Sequence, residues 1–143
     1  MAIDWGSKRT GIAVTDPLRI IAHPLKTVPT QKVFEFLAQY LAQEQVHTIV
    51  VGAPFHEDGQ PAQVAAEVDR FVERLRKRYP KIHLARQDER YTSRMASDII
   101  LRSGARKKKR KDKYLIDKVS ASLILQAYLD EHGLWSSASG GTD

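Results

Sequence analysis

Short apolar stretches open the chain and longer stretches with an apolar residue at every third or fourth place follow. Residues 2–5 form a brief apolar run, Gly6 and Ser7 break it, and residues 10–16 resume with alternating small and β-branched side chains, which predicts two strands joined by a tight basic turn. Residues 20–28 are a third candidate strand. Pro24 inside it has no N–H to give to a ladder, which sends this strand to a sheet edge. Pro29 and Thr30 offer an N-cap for residues 31–45, where Val33, Phe34, Leu37, Tyr40 and Leu41 recur at helical steps. Residues 48–51 are continuously β-branched and end at Gly52 and Pro54, the pattern of a strand buried on both faces.

The second half is mostly helical in pattern. Residues 61–79 carry Val64, Val68, Phe71, Val72 and Leu75 as one stripe, with Arg74, Arg76, Lys77 and Arg78 near the C-terminus, where cations suit the helix dipole. A fifth strand is predicted over 82–85, a helix over 92–101 between Thr92 and Gly104, and a last helix over 113–131. Antiparallel strands first and crossover units afterwards imply an α/β fold, with a mixed five-stranded sheet and helices on both faces. One domain is expected over 1–132. Residues 133–143, polar and rich in Gly and Ser, are expected to be a disordered tail.

Composition narrows the function classes. A chain of 143 residues that is 42% hydrophobic can bury about two thirds of its unfolded surface in one domain. No apolar run approaches the roughly 18 residues needed to cross a bilayer, and Asp4 and Lys8 interrupt the place where a secretory signal would need its apolar core. With no cysteine there is no disulfide or thiolate chemistry. A cytoplasmic protein is expected.

The net charge of +6 is concentrated. Residues 106–113, RKKKRKDK, hold seven bases and one acid, so the rest of the chain balances at 16 bases against 16 acids. Such a block is either the footprint of a phosphate-backbone partner or a solvated basic loop.

Three positions bear candidate chemistry. Asp4 sits in a strand otherwise built for burial, where a carboxylate needs hydrogen bonds, a cation or a metal; an Asx turn onto the amides of Gly6 and Ser7 would also satisfy it. Asp88, Glu89 and Arg90 follow the fifth strand at its carboxyl end, where α/β sheets collect their sites, although Asp88 could cap a helix and the other two could be plain surface charges. Asp117 lies one turn inside the last helix on the same side as Ser120 and Ala121, whose small side chains let the helix approach the sheet; placement near the positive helix N-terminus is the other account of it. Together, three carboxylates on separate segments would form an all-oxygen site for a hard cation such as Mg²⁺, suited to phosphodiester hydrolysis. The five histidines lack paired ligand spacing, GSKRTG continues with Ile12 where a P-loop needs Lys, and neither a nucleophile elbow nor a dinucleotide-binding glycine signature is present.

The segments DWGSKRTGIAVTDP, VVGAPFHEDG, DERYTS and DKVSASLILQAYLD resemble, in order and spacing, the bacterial YqgF/RuvX family over residues 2–130. The resemblance implies an RNase H-like fold and nuclease activity, with processing of the 5′ end of pre-16S rRNA as the usual assignment and Holliday-junction resolution as the older one. It implies Asp4, Glu89 and Asp117 as catalytic, metal-holding acids for Mg²⁺ or Mn²⁺, with Asp58 and Asp88 in reserve. Lys8, Arg9 and Arg90 would line the substrate entrance. Glu89 follows the fifth strand, so it starts about two strand spacings from Asp4. Met1 stands where several more strand residues precede the first acid in the family, which predicts a shortened central strand or a start codon placed too late.

Four functions are thereby set against one another. One is a metal-dependent endonuclease on structured RNA, gripped by Arg106, Lys107, Lys108, Lys109, Arg110 and Lys111. A second is a resolvase of branched DNA, which favours a homodimer over a monomer. A third is a non-catalytic nucleic-acid-binding module. Nucleotide binding, suggested by the likeness of DWGSKRTG to the first phosphate loop of actin-like ATPases, would need a second domain that 143 residues do not supply.

Overall fold

The computed structural model describes residues 1–18, 20–54, 64–88, 96, 98–100, 102 and 113–132. Its strands are β1 (Ala2–Asp4), β2 (Arg9–Thr15), β3 (Ala22–Pro29), β4 (Thr48–Ala53) and β5 (His83–Asp88); its helices are α1 (Val33–Gln43), α2 (Ala65–Arg78) and α3 (Lys113–His132). Residues 96 and 98–100 are helical, inside the helix expected over 92–101, and so is 102 just past it; most of that helix lies outside the described residues together with the tail 133–143.

The five strands form one sheet in the order β3-β2-β1-β4-β5. The first three run antiparallel, while β4 and β5 join β1 in parallel. This is the mixed five-stranded α/β sheet that the hydrophobic pattern predicts, in the RNase H-like architecture that the resemblance implies. β3 is an edge strand, and its pairing shifts between Ile12 and Ala13, so that Lys26 and Pro24 are successive partners and Leu25 is skipped. The bulge seats the proline where the ladder asks for no N–H.

Strand alternation sorts the core into two unequal layers. Ile3, Ile12, Ile49 and Val51 face α1 and α2, meeting Leu37, Val68, Phe71 and Leu75. Ala2, Ala13 and Val50 face α3, meeting Ala121, Ile124 and Leu125. Large side chains fill the first layer. Small ones floor the second, so α3 lies close against the sheet. β1 has only three residues, yet it is central, and the Met1 amino group extends its pairing by donating to the Thr48 carbonyl at 3.1 Å.

Two expectations need correction. Thr30 is not the cap of α1: residues Thr30–Lys32 form a 3-10 turn, Lys32 holds the N-cap position, and no side chain caps there. The Thr30 hydroxyl instead donates to the Gly6 carbonyl and accepts from the Thr10 hydroxyl at 2.8 Å. Thr10 is fully buried, and its hydroxyl would otherwise be orphaned. The fifth strand also runs three residues beyond Ala85. Its polar end is satisfied because Arg86 reaches Asp69 of α2 at 3.1 Å and Gln87 reaches Glu131 of α3 at 3.2 Å.

Candidate active site

The site is built where β1 ends. Asp4 is the last residue of β1, half-buried, and alternation with Ala2 directs it to the α3 face. Its register partner on β2 is Gly11. Across Gly11 lies Asp117: a Cβ placed on Gly11 would stand 2.1 Å from the Asp117 carbonyl oxygen. Only the absence of a side chain lets the helix backbone rest there. Asp117 shares its helical stripe with the buried Ser120, Ala121 and Ile124, at steps of three, four and seven, so it too lies on the sheet-facing side. Partners in an antiparallel pair have Cα atoms about 5 Å apart, so Asp4 and Asp117 flank Gly11 on one face of the sheet.

The pair has a cationic neighbour. Arg9, the first residue of β2, donates from Nε to Asp117 Oδ2 at 2.9 Å, and its guanidinium carbon sits 5.8 Å from the centre of the Tyr114 ring, one turn earlier on α3. Arg9, expected at the substrate entrance, is thus engaged with an acid. Lys8 is exposed in the bend between β1 and β2, where its carbonyl accepts from the Thr30 amide at 3.0 Å. The Thr10–Thr30–Gly6 hydroxyl chain holds this bend against the sheet. Ser120 Oγ is buried without a hydrogen-bond partner among the described residues.

Asp88 is placed elsewhere. It ends β5, two strands from β1, in register with Ala53. Gln87 faces α3, so alternation turns Asp88 toward the α2 side. The separation of two strands is expected for Glu89, the residue after Asp88. Glu89, Arg90, Asp58 and the basic residues Arg106–Lys111 lie outside the described residues. Among the described residues no three acidic or histidine side chains gather as a metal site. Asp4 and Asp117 are two hard oxygen donors on facing elements, a donor set that fits Mg²⁺ or Mn²⁺ and does not suit a soft metal. A cavity of about 860 Å³ lies at the other end of the sheet, lined by Met1, Val14, Tyr40, His47 and Leu129 among others, and neither acid touches it.

A profile of the family described as RuvX, Holliday junction resolvase, matches residues 1–131. The chain belongs to the RuvX family. It is similar to a protein of Flavobacterium johnsoniae, 45% identical over 129 residues that cover 90% of this chain and 94% of the relative. A Porphyromonas gingivalis relative is 46% identical over 130 residues, covering 91% and 94%, and one from Christiangramia forsetii is 43% identical over 131 residues, covering 92% and 97%. All three carry the name "Putative pre-16S rRNA nuclease". The match runs from before β1 to the next-to-last residue of α3.

The closeness of Gly11 to Asp117 escaped sequence reasoning. Gly11 reads there as one small residue in an alternating strand; its signal was that a glycine stands two residues after a buried-strand cation and opposite Asp4 in the hairpin register. The partnership of Arg9 with Asp117 joins residues 108 apart and left no local sign.

Proposed function

We propose that this protein is a divalent-metal-dependent endonuclease that hydrolyses phosphodiester bonds in structured RNA, acting in the cytoplasm on the 5′ end of pre-16S rRNA. One observation carries the reading: Gly11, the strand partner of Asp4, seats the Asp117 backbone against it, which brings two acidic residues from distant parts of the chain to either side of one glycine. The names of the relatives support the substrate class, and the family match supports cutting of nucleic acid.

Asp4 and Asp117 would hold Mg²⁺ or Mn²⁺, with Glu89 as the third acid. When bound, the ion would activate water and stabilise the leaving oxygen. The remaining work falls to the chain. Arg9 fixes the Asp117 carboxylate through Oδ2, and Lys8, exposed at the same bend, offers an ammonium to a nearby phosphate. The block Arg106–Lys111 adds a sequence-independent, salt-sensitive hold on the backbone.

The test is cleavage of precursor 16S rRNA by purified protein with and without Mg²⁺, for wild type and the double variant D4N/D117N. Mg²⁺-dependent cutting that survives the double variant would reject the assignment. The family description favours a second reading, resolution of four-way DNA junctions. Symmetric paired cuts in such a junction, with precursor rRNA left intact, would select it. RNA binding without cleavage of either substrate would leave a non-catalytic binding module.

A further inference from the structure

The outer surface of α2, on the far side of the sheet from Asp117, carries most of the helix's charges. The inner side of the helix, Val68, Phe71, Val72 and Leu75, is buried in the core. On the flank toward β5, Asp69 pairs with Arg86 at 3.1 Å and Glu73 pairs with Arg76. Arg74 and Arg78 stand on the flank toward α1, Arg70 and Lys77 point outward beside them, all four exposed, and Lys81 follows just past the helix. Among the described residues no acid forms an ion pair with any of these five, although Glu67 stands one turn before Arg70 and Glu73 one turn before Lys77. The overall balance of the chain outside its basic block therefore conceals a local excess of cations along this helix, unpaired among the described residues.

Two of these cations are held in place. The Arg74 guanidinium lies 4.5 Å and the Arg78 guanidinium 5.0 Å from the centre of one ring, Phe34 of α1. The ring faces both, and Phe34 in turn packs on Phe71 at 5.4 Å. Such stacking restrains the long side chains and leaves their N–H groups free to donate. From Arg70 to Arg78 the helix rises about 12 Å, enough to follow several phosphates of one strand.

We infer that this stripe is a second nucleic-acid-binding surface, taking the sugar–phosphate backbone of a structured nucleic acid on the face of the sheet opposite the acids. A membrane is the poorer partner: a surface helix that lies on lipid needs an apolar face to insert, and that of α2 is already buried in the core. The inference goes beyond the cleavage reading, since it applies equally to nucleic acid that is held and not cut.

The experiment measures binding of a labelled RNA hairpin and of a labelled DNA duplex by fluorescence anisotropy, in EDTA so that cleavage plays no part, across a range of salt. R74Q/R78Q is expected to weaken binding by about tenfold and to reduce the slope of log K against log salt by about 2. R70Q/K77Q, which touches no ring, should move both quantities in the same direction and guards against a folding defect in the first variant. R76Q, whose side chain is held by Glu73 on the other flank, should stay within about twofold of wild type. A loss on either probe supports the surface and says which nucleic acid it takes. Unchanged affinity and slope in both double variants, an equal loss in R76Q, or a loss confined to vesicles of phosphatidylserine and phosphatidylcholine would overturn it.

Discussion

Replacing Gly11 by Ala tests the geometry on which the site depends. The added methyl would stand 2.1 Å from the Asp117 carbonyl oxygen, 2.5 Å from its carbonyl carbon and 3.0 Å from the Lys118 nitrogen, where ordinary contact begins at 3.4 Å. All three obstacles are backbone, and so is the strand that bears the methyl, so no side chain can swing aside. The helix must retreat from the sheet by roughly 1 Å or more, loosening the seam of Ala13, Ala121 and Ile124. Overpacking costs about 1–3 kcal/mol where neighbours yield, and a rigid obstacle puts G11A at the upper end, about 3 kcal/mol. For a chain of this length that lowers Tm by roughly 10 °C. The same retreat carries Asp117 away from Asp4, and a displacement of about 1 Å is enough to reduce a rate by about 100-fold. Thermal denaturation followed by circular dichroism, beside a cleavage assay at a temperature where the variant is folded, reads both effects. A G11A protein that melts within about 2 °C of wild type would refute the close contact.

Three further outcomes are expected. T30V keeps the side-chain shape but removes the hydroxyl that serves both the Gly6 carbonyl and buried Thr10, so its denaturation midpoint should fall by an amount equivalent to about 1–3 kcal/mol; an unchanged midpoint would show that the hydroxyl chain contributes nothing. A double-mutant cycle with R9Q and D117N should give a coupling of only about 0.5–1 kcal/mol, because the two side chains are 27% and 22% exposed, and the coupling should fade in molar salt; zero coupling at low salt would mean the pair does not form in solution. Asp16 accepts from the amide of Ile21 foremost, and from those of Ile20 and Leu18, which holds its carboxyl below the ordinary 3.8 although desolvation pulls the other way. Its folded pKa lies under its unfolded one, so its stabilisation is complete above about pH 4 and is lost as pH falls through the folded value. Hydrogen exchange at Ile20 and Ile21, corrected for intrinsic rates, should therefore quicken below that range, and D16A should exchange fast throughout; pH-independent protection in wild type would contradict this.

Local pattern carried much of the fold because local physics decides it. The β-branched run at residues 48–51 becomes β4, buried between β1 and β5, and the stripe Val68, Phe71, Val72 and Leu75 is the buried side of α2. Pro24 marked the edge strand, since a missing N–H excludes a central place. What failed depended on distant partners. Thr30 has the chemistry of a cap, but the unsatisfied hydroxyl of Thr10 claims it. The end of β5 looks too polar for a strand until Asp69 and Glu131 arrive from other elements to pair with Arg86 and Gln87. The same holds at the site: Asp4 and Asp117 were each visible as unusual acids, whereas the glycine that brings them together and the arginine that binds one of them show their purpose only once α3 has docked.

That docking has a consequence for the order of events during synthesis. Arg9 and Asp117 stand 108 positions apart, one at the opening of the chain and the other in its final helix. A nascent polypeptide still short of residue 117 has half of the acid pair and an arginine with nothing to hold. On the proposed assignment, a product of interrupted synthesis that ends before residue 117 lacks one of the two acids and is expected to be inert.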